Sequence, residues 1–208
     1  MSELQQIATD LGMPRFTAKQ IAQWIYEKRV RTIDEMTNLS KDNRARLAAS
    51  YCIGYEDPAD AAHSKDGTIR YLFATPAGKH VETVYIPDHE RATLCVSSQI
   101  GCKMQCYFCM TGKQGFNGQL TATQIMNQIF AIPESQTLTN LVFMGMGEPL
   151  DNWEEVSKAL EIITAPWGMA WSPKRVTLST IGQMQHLPDF LHDSLCNLAI
   201  SIHSPFDD

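Results

Sequence analysis

Three cysteines stand close together near the middle of the chain. Cys102, Cys106 and Cys109 fall within eight residues, in the order Cys-Lys-Met-Gln-Cys-Tyr-Phe-Cys. A loop this short can bring three sulfurs around one metal centre at a small cost in loop-closure entropy. Three thiolates suit a soft metal, either zinc or an iron–sulfur cluster. The spacing predicts a metal centre, and on a four-iron cluster it would leave one iron open to a substrate.

Two other chemistries are open for the same loop. A structural zinc site needs a fourth ligand, and Cys95 and His89 are the nearby candidates because the chain has no second Cys-x-x-Cys pair. A redox pair of Cys106 and Cys109 would need a helix N-terminus to lower the thiol pKa. The residues favour the cluster, with zinc second and the redox pair third.

Composition narrows the class of protein. The chain has 208 residues, of which 44% are apolar and 19% charged, and this excludes collagen-like and strongly disordered proteins. No apolar run approaches the length of a membrane-spanning helix, and the polar N-terminus lacks a signal-peptide pattern. We therefore expect a cytoplasmic protein with no membrane partner, in which the six cysteines serve metal binding or catalysis rather than disulfides.

Charge is distributed unevenly. Residues 15–50 contain eight basic and four acidic residues, whereas residues 51–208 contain nine basic and seventeen acidic ones. A basic end on an acidic body is typical of a protein that docks a polyanion through that end. A solvated helical face would give the same pattern, and charge alone favours it.

The sequence predicts a helical first region followed by a hairpin. Thr17 can cap a helix in which Ile21, Trp24 and Ile25 recur at helical spacing, which favours core packing for Trp24. Ser40 can cap a second helix over 43–51. The period then changes to that of strands, with a hairpin predicted over 68–74 and 80–86.

From about residue 92, strands and helices alternate. Strands are predicted over 93–97, 140–144, 175–179 and 198–202. Helices are predicted from Thr121, where Thr121 and Gln124 can form a capping box, and over 152–164 and 187–192. This alternation predicts a parallel sheet with helices outside, either barrel-like or doubly wound.

The last predicted strand is followed by only six residues. A buried-type parallel strand at an open edge favours association. We therefore expect a fragment of a longer barrel or an edge covered by another copy, unless this strand lies inside the sheet.

Several short motifs resemble one enzyme family. The cysteine spacing, with Phe108 before the third cysteine, resembles the radical S-adenosylmethionine (SAM) superfamily, and the surrounding segments resemble its RlmN/Cfr family. The segments are Glu-Thr-Val-Tyr-Ile-Pro at 82–87, Ala-Thr-Leu-Cys-Val-Ser-Ser-Gln at 92–99, Gln-Gly-Phe-Asn at 114–117, Met-Gly-Met-Gly-Glu-Pro-Leu at 144–150, Arg-Val-Thr-Leu-Ser-Thr at 175–180 and Ser-Ile-His at 201–203. The resemblance implies an α/β fold: a partial (β/α) barrel of radical SAM type over 92–208, an N-terminal helical RNA-docking domain over 1–60 and a β-hairpin connector over 61–91.

The resemblance also implies cofactors and site residues. The cofactors would be a 4Fe-4S cluster on the loop cysteines and S-adenosylmethionine. The residues that match cofactor-binding positions are Gly147, Glu148, Ser179, Ser201, Ile202 and His203. Glu82 matches the proton acceptor, Cys95 the resolving cysteine and Met144 a methionine lining the site. Without the resemblance, Cys95 and Met144 would be assigned to the core, Glu82 to a hairpin face, and the serines to strand-end capping.

The implied activity is RNA methylation. The family methylates C2 of an adenosine in 23S rRNA and in some tRNAs, by a radical route that needs an electron donor for the cluster. Adenine C2 is a poor nucleophile, so direct attack on a sulfonium methyl would fail. The alternatives are a Cfr-like enzyme acting at C8 and a non-catalytic zinc- or cluster-binding RNA module. The family's methyl-carrying cysteine and a distal pocket asparagine lie beyond position 208, so we predict that these 208 residues alone hold a cluster without completing methyl transfer.

Overall fold

The structure, a computed structural model, describes residues 1–76 and 78–204. Contacts divide the chain into two compact units. The first comprises Met1–Tyr55 and Glu161–Trp171, and the second comprises Glu56–Leu160 and the described part of Ser172–Asp208. The bounds 1–60, 61–91 and 92–208 stay a prediction, and residues 205–208 lie outside the described part of the chain.

The first unit is helical around a small core. Its helices are α1 (Ser2–Asp10), α2 (Thr17–Ala22), which continues into a π-helical turn over Gln23–Glu27, and α3 (Lys41–Ser50). Apolar side chains from these helices and from the loops between them form the core. Its buried members are Ala8, Met13, Ala18, Ile21, Val30, Ile33, Met36, Leu39 and Leu47.

Two predicted caps have different outcomes. Ser40 caps α3 as expected, because its hydroxyl accepts a hydrogen bond from the Asn43 N–H at 3.2 Å. The prediction that Thr17 is an N-cap is wrong, since Phe16 precedes the helix and Thr17 is its first residue. The Thr17 N–H already donates to the Pro14 carbonyl at 2.9 Å, and Phe16 has helical dihedrals. The chain is thus turning before it reaches Thr17, which leaves no extended residue there to serve as a cap.

The second unit is built on a seven-stranded mixed sheet. The strands are β1 (Asp60–His63), β2 (Ile69–Ala74), β3 (His80–Asp88), β4 (Arg91–Cys95), β7 (Asn140–Phe143), β8 (Val176–Thr180) and β9 (Asn197–Ile200), in that spatial order. Strands β1 to β4 are antiparallel, and β4, β7, β8 and β9 are parallel. The predicted hairpin is confirmed as β2 and β3, and it belongs to the same sheet as the parallel strands.

The two faces of this sheet differ in burial. Leu94, Leu141 and Leu178 are at most 1% exposed and lie on one face. Helix α5 (Ala122–Phe130) covers that face, because Gln128 on this helix accepts a hydrogen bond from the Thr83 hydroxyl of β3 at 2.6 Å. The predicted capping box of α5 is confirmed. The opposite face, which carries Glu82 and Cys95, is less buried.

A small second sheet, which the sequence analysis missed, closes the cysteine loop. Strand β5 (Gln99–Gly101) pairs with β6 (Phe116–Gln119), and the Cys102 N–H donates to the Gly115 carbonyl at 3.3 Å. Gly101 has φ +78°, and a Cβ there would lie 1.7 Å from the Gly115 carbonyl oxygen. Only glycine allows this close approach.

The remaining helices of this unit complete the strand–helix alternation. They are α4 (Met110–Lys113), α6 (Trp153–Thr164, whose last turn belongs to the first unit) and α7 (Leu187–Asp193). Strand β9 lies at an edge of the described sheet. Within residues 1–76 and 78–204, no helix is both long enough and apolar enough to cross a membrane.

Candidate functional site

The cysteine loop lies between β5 and β6. Cys102 is buried near the base of the loop, whereas Cys106 and Cys109 are partly exposed. The Cys109 N–H donates to the Cys106 carbonyl at 3.0 Å, which forms a tight turn between these two residues. Burial raises the pKa of the Cys102 thiol, and negative charge on Cys106 and Cys109 raises this pKa further, while the Met104 N–H opposes the shift.

The three loop cysteines could serve an iron–sulfur cluster, a zinc ion or a redox pair. Among the described residues, no three His, Cys, Asp or Glu side chains converge at metal-ligand spacing. His89, the zinc alternative's candidate, has a side chain that is 95% exposed and lies beside Asp88. Helix α4 after Cys109 has only four residues, so it offers little dipole to a redox pair. Three thiols on one short loop fit an iron–sulfur cluster best, because all of its protein ligands can come from that loop.

The glycine loop after β7 packs closely on the segment after β4. A Cβ at Gly145 would lie 2.7 Å from the Val96 carbonyl oxygen, and one at Gly147 would lie 2.6 Å from the Gln99 Cβ. Gly147 also has φ +103°, a conformation that side chains disfavour. Glycine at these two positions therefore lets the loop pack closely against residues 96–99.

Glu148 is the most enclosed of the predicted cofactor residues. It is 4% exposed, and its carboxylate accepts hydrogen bonds from the Thr180 hydroxyl and from the Ile181 N–H at 3.1 Å. A third bond comes from the Leu150 N–H at 3.1 Å. The side chain thus joins the glycine loop to the carboxyl end of β8. A buried carboxylate needs such donors, because unpaired burial of a charge is costly.

Three further predicted residues, Ser179, Ser201 and His203, make contacts at this edge of the sheet. The Ser179 and Ser201 hydroxyl oxygens are 3.3 Å apart, across the ends of β8 and β9. The rings of Phe108 and His203 are 5.0 Å apart in an edge-to-face arrangement. Ile202, which lies between Ser201 and His203 in the sequence, is 78% exposed. The cysteine loop and the ends of two parallel strands therefore come together, as expected for the carboxyl edge of a β/α sheet.

Glu82 lies on the less buried face of the sheet, near the start of β3. Its carboxylate forms an ion pair with Arg70 of β2 at 3.3 Å. Its backbone is fixed by Ser97, whose hydroxyl donates to the Glu82 carbonyl at 2.6 Å and accepts from the Met146 N–H at 2.8 Å. The Glu82 N–H in turn donates to the Met146 sulfur at 3.4 Å. Met146, which was not predicted, touches Glu82 here.

Cys95 and Met144 lie at the carboxyl ends of two neighbouring strands, β4 and β7. Cys95 ends β4 opposite Val84 and Val142, on the same face as Glu82. Burial raises the pKa of the Cys95 thiol, and a hydrogen bond from the Met144 N–H partly offsets this shift. Met144 is 50% exposed, so its side chain is not a core residue. The two residues thus meet through the Met144 backbone.

Buried glutamines beneath the site were missed. Gln128 and Gln99 have no exposed surface. Gln128 accepts from the Ser97 N–H at 2.8 Å and donates to the Ser97 carbonyl at 2.9 Å, which fixes the chain just after β4. A polar residue on the otherwise apolar face of a predicted helix was the available signal for Gln128. Gln99 follows two serines and carried no periodic signal of its own.

Comparison with known proteins agrees with this arrangement. Residues 96–208 match the model of the Radical SAM superfamily, which is more than half of the chain. The chain belongs to this superfamily. Membership implies a 4Fe-4S cluster and S-adenosylmethionine, the two cofactors that the resemblance predicted.

The more particular resemblance is also confirmed. Residues 1–53 match the ribosomal RNA large subunit methyltransferase N-terminal domain of RlmN. A protein of Phocaeicola vulgatus named "Probable dual-specificity RNA methyltransferase RlmN" is 59% identical over 99% of this chain and 59% of its own length. A "Dual-specificity RNA methyltransferase RlmN" of Geotalea uraniireducens is 42% identical over 100% of this chain and 61% of its own. The chain thus spans about three fifths of the length of these curated relatives.

A solved structure supports the fold. The crystal structure of a radical SAM methyltransferase from Sphaerobacter thermophilus is 37% identical, with a TM-score of 0.90. The match covers 100% of this chain and 63% of that one. The expected fold class, an α/β partial barrel of radical SAM type with a helical N-terminal region, is confirmed.

Proposed function

We propose that the chain acts in radical SAM-dependent methylation of RNA, at C2 of an adenosine in 23S rRNA and in some tRNAs. The observation that carries this proposal is the meeting of the cysteine loop with the strand ends, where the Phe108 ring lies 5.0 Å from the His203 ring just after β9. The Ser179 and Ser201 hydroxyl oxygens are 3.3 Å apart at the same edge of the sheet. The names of the relatives favour a dual-specificity RNA methyltransferase over a C8-methylating enzyme.

Cys102, Cys106 and Cys109 would hold the cluster. When bound, a 4Fe-4S cluster supplies the one-electron reduction of S-adenosylmethionine. The Ser179 and Ser201 hydroxyls, which face each other across two strand ends, would orient the cofactor by hydrogen bonds. The exposed Ile202 and the His203 ring beside Phe108 would cover its apolar surface.

Gly147 and Glu148 would contribute in different ways. Gly147 lets the loop pack on Gln99, because a side chain there has no room. By the resemblance, Gly147 would contact the cofactor. The Glu148 carboxylate is held by Thr180 and Ile181, so its part is to fix the loop on β8. The cofactor would then meet a surface whose shape is set before it binds, and this reduces the ordering required on binding.

Glu82, Cys95 and Met144 would act at the base. A carboxylate on the open face, oriented by Arg70, can accept the proton that leaves C2. By the resemblance, the Cys95 thiolate would attack the sulfur of the family's methyl-carrying cysteine, which lies beyond position 208. A disulfide would form while the bond from that sulfur to the base-bound carbon breaks, and this carbon would take the electron pair and a proton to become the new methyl group. The Met144 N–H stabilises the Cys95 thiolate. The half-exposed Met144 side chain would line the pocket.

The first unit would dock RNA through its basic residues. Trp24 packs against the core of that unit, and the Lys28 ammonium lies 4.2 Å from its ring centre. Core packing, the favoured alternative for Trp24, is thereby supported. Phosphate neutralisation by the exposed cations, rather than stacking on Trp24, would supply the RNA affinity.

We further propose a one-electron donor as a partner and the cytoplasm as the compartment. Ribosomal and transfer RNA substrates are found there, and all six cysteines of the chain are free thiols. Free thiols persist in a reducing compartment.

Release of 5′-deoxyadenosine tests the enzymatic proposal. The chain is purified without oxygen, reduced with dithionite and supplied with S-adenosylmethionine and RNA. We expect 5′-deoxyadenosine, and we expect none from Cys106→Ala. A protein that binds stoichiometric zinc and releases none would instead be the non-catalytic RNA module.

RNA affinity tests the docking proposal. Neutralising Lys28, Arg29 and Arg31 to glutamine should reduce the slope of log affinity against log salt by about 2, since each phosphate contact contributes about 0.7–0.9. Affinity is measured by fluorescence anisotropy with an adenosine-containing RNA hairpin.

A matched control uses three cations of the second unit. Lys65, Lys79 and Arg91 are exposed and carry the same total charge. Their replacement by glutamine should leave the salt slope near that of the unchanged chain. Equal slopes for both triple variants would contradict docking by the first unit.

A further inference from the structure

Asp151 gathers three donors from three different segments. It lies in the 3-10 turn Pro149–Asn152 after the glycine loop, and its side chain is 18% exposed. One carboxylate oxygen, Oδ2, accepts from the Gln99 amide at 2.7 Å, the Gln119 amide at 3.2 Å and the Lys103 ammonium at 2.8 Å. Hydrogen bonds to a charged group are stronger than those between neutral groups. Three of them on one oxygen therefore hold the Asp151 side chain firmly in place.

Gln99 connects this contact to the glycine loop. Its amide nitrogen donates to Asp151 and to the Gln119 carbonyl oxygen at 2.7 Å, and its own carbonyl oxygen accepts from the Glu148 N–H at 2.9 Å. Gln99 has no exposed surface. It therefore holds Glu148 and Asp151 in one fixed arrangement, with the side-chain carbonyl and amide both satisfied.

Lys103 connects the same contact to the cysteine loop. It is the residue directly after Cys102, and its ammonium lies 4.6 Å from the Phe116 ring centre in addition to its ion pair with Asp151. The Gln119 amide also donates to the Asp151 backbone carbonyl at 2.8 Å, from the other strand that closes the loop. Both strands at the base of the loop are thus tied to Asp151.

We propose that Asp151 and Lys103 are positioning residues that fix the cysteine loop relative to the glycine loop. This inference rests on the proposed function, in which the loop cysteines hold the cluster and the glycine loop binds S-adenosylmethionine. The distance between the cluster and S-adenosylmethionine would then depend on a short chain of contacts. This chain runs from Lys103 through Asp151 and Gln99 to Glu148. Small displacements of reacting groups have large effects on a reaction, so such a contact is a determinant of cofactor cleavage.

The test compares two lysines of the same loop region. Lys103→Met removes the ammonium bound to Asp151 but keeps the length of the side chain. Lys113→Met makes the same change in charge on an exposed residue of α4 and serves as the control. Lys103→Arg keeps a cation that can reach Asp151, and Asp151→Asn removes the carboxylate charge.

The first measurement is amide hydrogen exchange of residues 102–115 in the chain without iron. We expect exchange about tenfold faster in Lys103→Met and Asp151→Asn, since losing a hydrogen bond to a charged group releases the local structure. Lys113→Met and Lys103→Arg should match the unchanged chain. Unaltered exchange in β4 and α5 shows that each variant is folded.

The second measurement is S-adenosylmethionine affinity of the reconstituted chain, compared at equal iron content. We expect affinity about tenfold weaker in Lys103→Met than in Lys113→Met, with recovery in Lys103→Arg. Equal hydrogen exchange in Lys103→Met and Lys113→Met would overturn the proposal that Lys103 and Asp151 fix the cysteine loop. Faster exchange in Lys103→Met with unchanged affinity would overturn its role in positioning the cofactor.

These outcomes separate this inference from the proposed function. A chain that binds no iron even in its unchanged form contradicts the proposed function. The exchange measurement needs no iron, so it still decides whether Lys103 and Asp151 hold the loop.

Discussion

The glycine loop and the cysteine loop are both parts of the proposed site, but they are held in different ways. Beneath the glycine loop lie Gln99 and Gln128, with no exposed surface and with hydrogen bonds to each neighbouring segment. On the cysteine loop, Tyr107 is 93% exposed and Phe108 is 70% exposed. The first region is shaped by the protein's own buried polar contacts, and the second is tied at its base and open at its tip.

The difference follows from the chemistry of the two regions. A buried amide left without a partner costs about 1–3 kcal/mol, so a network of such groups permits only one arrangement of the backbone. Thiols are weak hydrogen-bonding groups, and three of them on one loop gain their strong partner only from a metal. Substitutions should therefore affect folding in the first region and metal content in the second.

The largest contrast is expected for Cys106→Ala. Cys106 is partly exposed, so its loss should change the free energy of unfolding by less than about 0.5 kcal/mol. Iron bound after anaerobic reconstitution should fall to near zero. Iron analysis and urea unfolding of the same preparation check this prediction. A Cys106→Ala variant that keeps its iron would contradict the assignment of the cysteine loop as the cluster-binding site.

Gln128→Leu should show the opposite behaviour. It leaves the Thr83 hydroxyl and the Ser97 backbone without a partner in a buried place. The expected loss is about 3 kcal/mol in the free energy of unfolding of the second unit. Native-state hydrogen exchange of β4 measures it. Gln136→Leu, at an exposed glutamine, is the control and should cost less than about 0.5 kcal/mol.

The parts that sequence could predict are those that short patterns encode. The cysteine spacing, the Thr121–Gln124 capping box and the strand order of the hairpin all depend on residues a few positions apart. The β5 and β6 pair was missed because three residues ending in a glycine with positive φ carry almost no strand pattern. Gln99, Gln128 and Asp151 were missed because their partners lie 20 to 52 residues away.

Gly147→Ala should have an intermediate effect. The new methyl group would meet the Gln99 Cβ at 2.6 Å in a left-handed backbone conformation. Overpacking and strain together should cost about 2 kcal/mol and displace Gln99 from Asp151. Gly54→Ala is the control, since nothing lies within 4 Å of its added Cβ. Urea unfolding of both variants measures the difference, and equal losses would contradict the close packing under the loop.

The smallest effect concerns the Cys95 thiol. Because burial raises its pKa, the thiolate fraction at neutral pH is lower than for an ordinary cysteine. The rate of alkylation by iodoacetamide should rise with pH, with a midpoint above the usual value of about 8.5. Peptide mass spectrometry of the alkylated chain follows Cys95 separately, with the exposed Cys52 as the internal reference. A midpoint below that of Cys52 would contradict the assigned burial.

The central claim is that the three-cysteine loop and the adjoining strand ends form one site for a cluster and S-adenosylmethionine. The most direct measurement is the electron paramagnetic resonance spectrum of the anaerobically reconstituted, reduced chain, recorded with and without S-adenosylmethionine, together with its iron and acid-labile sulfide. We predict about four irons and four sulfides per chain and a spectrum that changes when S-adenosylmethionine is added. A colourless protein with stoichiometric zinc, or a cluster whose spectrum does not respond to S-adenosylmethionine, would contradict the account.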